Sequence, residues 1–222
     1  MTDQQTAAAP CSLRFTEEMK GYLTLGEDDY HVGFREGRRS GSFLMFHLTI
    51  TLDDVDAFVA DPTHEASATG WVQCDQLGGQ LPVQRGIFNL FVEGDDHSRT
   101  TMLYRLFFAD GSGQPLTLSG FKDVKDDPGF DVWQDTSTLY IKVLRGHVEA
   151  GGEAEAEAAG GLVAAGILNI YLLDFLQQLT TFRVEGPSMQ ERASSFGAFG
   201  RLFLGKLWDL YRGRAEAAAE VE

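Results

Sequence analysis

The chain has 222 residues, 43% of them hydrophobic, which is enough for one well-filled core plus an appended element. Its formal net charge of −15, with basic residues gathered only at Arg35 to Arg39 and along the C-terminal helical stretch, excludes a nucleic-acid-binding surface. Cys11 and Cys74 lack disulfide-framework or metal spacing, Met1 to Pro10 lacks a secretory pattern, and the apolar run from Leu162 to Leu173 is broken by Asn169, so a soluble, cytoplasmic protein is expected.

After a disordered arm over 1–11, Leu13, Phe15, Met19, Tyr22 and Leu23 mix with polar neighbours up to Gly21 and Gly26, which predicts an opening strand ending in a turn. Ser42 to Thr51 predicts a second strand, with Leu44, Phe46, Leu48 and Ile50 on one face and Phe43, Met45, His47 and Thr49 on the other. Both faces are largely apolar, so both are expected to be covered. Leu52, Val55 and Phe58 or Val59 then stand at helical spacing behind early acids, predicting a short helix stopped by Pro62.

Turn signals follow at Gly78-Gly79, Glu93 to Asp96 and Asp110 to Gly113, with strand-like runs between them, of which Val83 to Val92 and Thr100 to Phe108 are long enough for a closed barrel. Ser137 to Leu144 predicts a return strand, and Gly166 to Asn169 supplies a further one. The fold class expected is mainly β: an antiparallel meander closing into a lipocalin-like or allene-oxide-cyclase-like barrel of about seven or eight strands, with two C-terminal α-helices. The barrel domain is placed at 12–148. The Glu/Ala/Gly block at 149–161 reads as a solvated linker or insertion, 162–214 as a barrel-completing segment and the helices, and 215–222 as a disordered tail. The first helix carries Leu172, Phe175, Leu176 and Leu179; the second, from about Met189 to Arg212, starts at the capping box Ser188 to Glu191 and repeats Phe196, Phe199, Phe203, Leu207 and Leu210.

Polar residues inside apolar strands are the candidate site: His47, Arg85, Asn89, Tyr104, Arg105 and Lys122, of which a subset facing inward would be paired or used. To these the crowded stretch Gly120 to Tyr140 adds Trp133 and Tyr140. Its Asp126, Asp127, Asp131 and Asp135 depart from the EF-hand spacing and read as a turn rather than a cation loop. His64 near Asp61 reads as a surface loop rather than a metal ligand, and no metal or cofactor is expected. Nucleophile-elbow, phosphate-loop and dinucleotide-binding motifs are all missing from the sequence, which leaves redox chemistry by this chain alone without a carrier.

The runs Phe15 to Gly21, Gly86 to Phe91, Gly120 to Val124, Trp133 to Tyr140 and Asp174 to Phe182 resemble the accessory region of bacterial cholesterol-oxidase-like GMC oxidoreductases, over about Phe15 to Tyr211. The flavin-binding core of those proteins has no counterpart here. The resemblance implies a stand-alone relative of an accessory region and a sterol, lipid or other apolar ligand, with no catalytic residues to carry over.

The expected function is therefore noncatalytic binding of an apolar small molecule in the barrel, in service of an oxidoreductase, with His47, Asn89, Tyr104, Lys122, Trp133 and Tyr140 as ligand-binding residues. One alternative is a cofactor-free isomerase or cyclase using Lys122, Asp123 or His47 as acid or base. The other is an interaction module in which the basic, aromatic helix from Phe196 to Tyr211 docks on a partner protein or a membrane surface.

Overall fold

Two-residue alternation of buried and less buried side chains runs through the first two strands and gives the sheet an inner face. In β1 (Ser12–Leu25), Leu13, Phe15, Glu17, Met19, Gly21 and Leu23 form the buried phase, and in β2 (Phe43–Leu52) Leu44, Phe46, Leu48, Ile50 and Leu52 do. A computed structural model describes residues 9–93, 99–125, 138–170 and 180–203. Trp133, the Asp-rich turn, the stripe Leu172 to Leu179 and the last helix beyond residue 203 lie outside the described residues.

β1 and β2 are followed by β3 (Glu65–Cys74), a short β4 (Gly79–Pro82) folded back on β3, and the long strands β5 (Arg85–Glu93), β6 (Arg99–Ala109), β7 (Pro115–Lys125), β8 (Thr138–Arg145) and β9 (Leu162–Asn169). Each main strand pairs antiparallel with the next, and β9 returns to β1 through Lys20↔Asn169 to Leu25↔Ala164, so β1-β2-β3-β5-β6-β7-β8-β9 is a closed eight-stranded antiparallel barrel. This is the lipocalin-like architecture expected, with β9 as the strand that closes it. The first half of β1 takes β10 (Arg183–Glu185) as an extra neighbour. A bulge between Asn89 and Val92 in β5, where Phe91 has φ 52°, shifts the register of that strand toward its end.

The lower half of the barrel is solid. Leu44, Phe46, Leu106, Phe108, Leu118 and Ile141 are all 0% exposed, so none borders a space wide enough for water. At the mouth, the end where β1 starts and β7 finishes, Phe15, Thr100, Met102 and Ile170 keep 6–7% exposure. Helix α2 (Val55–Ala60), capped by the Asp54 side chain, and helix α4, whose described part is 189–203, sit at this end. α4 buries Phe199 against Phe15, Phe58 and Phe182, and Phe203 packs near Phe91, so within its described part these two residues of the stripe cover its own barrel. Phe196 and Met189 remain 49% and 78% exposed.

Three parts differ from expectation. Helix α1 (Tyr30–Ser40) was not foreseen, because its glycines Gly33 and Gly37 weaken the helical signal; they are the residues on which it rests against the barrel. The outer face of β2 is half-buried rather than covered, so the strand is sealed on one side only. The block read as solvated carries helix α3 (Glu153–Ala158), and the segment 146–161 lies against the outer wall as a strap. It is tied by ion pairs, Arg85–Glu149, Arg105–Glu153 and Lys142–Glu157, which an apolar-periodicity reading does not register. Among the described residues, no helix is long and apolar enough to cross a membrane.

Candidate functional site

Alternation decides which polar strand residues meet. Lys122 on β7 lies opposite Met102 on β6, Tyr104 lies opposite Gly120, and all four share the inward phase. Tyr104 and Lys122 converge there on Glu17 of β1, which sequence reasoning overlooked. The Lys122 ammonium donates to Glu17 Oε1 at 2.8 Å, and the Tyr104 hydroxyl donates to both carboxylate oxygens at 3.0 and 2.8 Å. Lys122 Nζ also sits 5.1 Å from the centroid of the Tyr104 ring, within cation–π range. Glu17, Tyr104 and Lys122 are 4%, 2% and 3% exposed, so this is a charge pair and a phenol taken fully out of water.

Burial, and then the Glu17 carboxylate beside it, push the Tyr104 phenol well above its ordinary value. The phenol is thus held protonated as a donor and is not a base. Glu17 is engaged on both oxygens, whereas Lys122 has three donors and, among the described residues, gives one to Glu17. Nearby on the inward face of β6, Thr100 Oγ1 is buried with no hydrogen-bond partner among the described residues. His64, at the start of β3, is 9% exposed with φ 41°, lies 5.6 Å from the Phe58 ring, and keeps its Nδ1 unpartnered. The expected surface loop is therefore a buried corner. Among the described residues, no group of His, Cys, Asp or Glu is arranged to hold a metal ion.

The other named residues are elsewhere. His47 is on the outer wall, stacked on Trp71 with Nδ1 3.4 Å from Glu18. Asn89 also faces out and donates from Nδ2 to the Thr63 carbonyl. Tyr140 packs outside against Phe121, Tyr30 and His31. Trp133 lies outside the described residues. Of the five that are described, Tyr104 and Lys122 enter the barrel and His47, Asn89 and Tyr140 do not.

Above this polar cluster the mouth is closed by rings. Phe15 stacks on Phe182 with centroids 4.8 Å apart and meets Phe88 edge-on at 6.4 Å, while Phe199 stacks on Phe203 at 6.0 Å. The site is therefore a charged, donor-rich floor under an aromatic cover carried by β10 and α4. β10 is three residues long, so the cover is joined to the sheet by few ladder bonds.

A second concavity lies on the outer wall, a groove of about 390 Å³ between β6–β8 and the strap. Arg105, Ser119 and Lys142 are cross-strand neighbours in one row, and Leu103, Phe121 and Tyr30 add apolar lining. Burial alone would raise the Glu153 carboxyl, but its own backbone amide, Arg105 and Ser119 hold it below the usual range. For Lys142, burial pulls down while the Glu157 carboxylate outweighs it and raises the amine. A depressed carboxyl stabilises the docked strap above its ordinary pKa and loses that contribution as pH falls through the lowered value. A raised amine contributes fully below its ordinary pKa and is lost as pH rises through the raised value. Amide hydrogen exchange, corrected for its intrinsic pH dependence, should thus show the 149–158 segment protected across neutral pH and released as pH falls below the ordinary carboxylate range, while the barrel strands stay protected. Equal loss in strap and barrel would disprove separate docking.

No protein-family model, no curated protein and no solved structure matches this chain.

Proposed function

We propose that the barrel mouth binds a small amphipathic molecule, with its apolar body among Phe15, Phe88, Met102 and the α4 phenylalanines and an oxygen acceptor on Lys122. The observation that carries this reading is Lys122 itself, an ammonium 3% exposed with one donor used among the described residues, close to the Thr100 hydroxyl, which has no partner among them. A buried ion pair is weak grounds for stability, because an apolar replacement of the same volume often does as well or better. Donors kept under a loosely joined aromatic cover instead suit a head group that arrives from outside. The packed lower half limits the ligand to the mouth. The resemblance to an oxidoreductase accessory region leads to the same ligand class, and service to such an enzyme is part of the proposal.

The isomerase or cyclase reading is less well supported, since His47 is on the outer wall and Asp123, adjacent to Lys122 in β7, belongs to the opposite phase of that strand.

Titration with a fluorescent long-chain fatty acid tests the proposal. Binding should be saturable, and the pair Glu17→Gln with Lys122→Met, which keeps an acceptor for Tyr104, should weaken it by about tenfold or more. His47→Ala should leave it unchanged. Absence of binding in the wild-type protein and in Phe199→Ala, which thins the cover, would refute it.

A further inference from the structure

The outer groove has a different logic from the mouth. Its cations are fixed: Arg105 on β6 and Lys142 on β8 flank Ser119 on β7, the strand that pairs with both, at side-chain exposures of 14% and 18%. Its anions are not. Glu153 and Glu157 belong to a six-residue helix with no buried residue, held to the barrel by these pairs. The strap carboxylates therefore act as the chain's own occupants of a cationic row.

Arg105 is only partly used by them. Its guanidinium pairs with Glu153 through Nη2, Ser119 Oγ donates to the same Glu153 oxygen at 3.1 Å, and the buried Arg105 Nε has no partner. A planar guanidinium with a spare edge donor is suited to a carboxylate that lies in its plane and accepts from Nε and Nη2 together. Beside it, Leu103, Phe121 and Tyr30 offer an apolar surface, and the Lys142 ammonium lies 5.4 Å from the Tyr30 ring centroid.

We propose that this groove is a second binding site, for a small organic carboxylate with a flat apolar body. The carboxylate takes the place of Glu153 on Arg105 and Ser119, and the body lies along Leu103 and Phe121. The strap competes for the site, so its displacement accompanies binding. The ligand differs from that of the mouth in place and shape, and neither site depends on the other.

Benzoate is the probe, titrated at constant ionic strength and followed by the amide NMR signals of the folded protein. Saturable shifts should appear at Leu103, Arg105, Ser119 and Lys142, with those of Glu17 and Lys122 unmoved. Glu153→Ala frees the row while keeping a good helix former, so benzoate should bind it at least several-fold more tightly than the wild-type protein. Arg105→Gln on that background should weaken binding by about tenfold or more. Saturable binding to Glu153→Ala supports the site even where the intact strap outcompetes benzoate. Shifts that fail to saturate, that scatter over surface lysines and arginines, or that survive Arg105→Gln would overturn it, as would silence in both the wild-type protein and Glu153→Ala. Folding of each variant is read from the same spectra.

Discussion

Replacing Glu17 by Gln should cost about 3–5 kcal/mol of stability, because it leaves the Lys122 ammonium buried without its counter-charge. Lys122→Met should cost a similar amount for the converse reason, since Glu17 would then keep its charge with, among the described residues, the Tyr104 hydroxyl alone beside it. The double variant should lose far less than the sum, because the residual Gln still accepts from Tyr104 and no net charge is buried. Urea unfolding of the four proteins reads this coupling directly. Additive losses would mean that the two groups do not sense each other, and the charged floor of the mouth would have to be abandoned. Near-recovery in the double variant would also bear on function. It would show that the pair is dispensable for folding, which leaves ligand recognition as the reason for burying an ammonium there.

The barrel was legible in the sequence because strands such as β1 and β2 carry their own alternation and the hairpins at Gly78-Gly79 and Asp110 to Gly113 their own turn signals. Tyr104 and Lys122 stood out as polar residues in apolar strands. Glu17 carried the same signal: it occupies the phase of Leu13, Phe15, Met19 and Leu23, but its neighbours Thr16 and Glu18 made the stretch look like an ordinary solvent-facing run. Reading β1 by phase rather than by composition would have found it. His47, Asn89 and Tyr140 could not be assigned to a face without the register, and the pairing His47↔Trp71 and Phe121↔Tyr140 puts them outside. The strap was opaque for another reason. Glu149, Glu153 and Glu157 repeat every four residues with no apolar partner, so only the basic row assembled by β5, β6 and β8 gives the spacing meaning.

The same substitution, Gly to Ala within a helix, should have opposite signs at two places. At Gly200 in α4 a new Cβ meets nothing within 4 Å, so Gly200→Ala should stabilise by about 0.5–1 kcal/mol through helix propensity. At Gly37 in α1 the Cβ would stand 2.3 Å from the Leu23 carbonyl oxygen, and at Gly33 it would stand 2.1 Å from that of Ala165. These are backbone atoms of β1 and β9, the pair that closes the barrel, and they have no rotamer by which to give way. α1 would have to lift off the wall, and the tight edge-on contact of Phe34 with Tyr22, at 5.8 Å, would open with it. The clash outweighs the gain in propensity, so Gly37→Ala should lower stability by about 2–3 kcal/mol, or the melting temperature by about 5–10 °C. Thermal melts of the two variants beside the wild-type protein decide the matter. A Gly37→Ala protein as stable as Gly200→Ala would mean that α1 does not touch the closing seam, and that the barrel is held shut by its ladder alone.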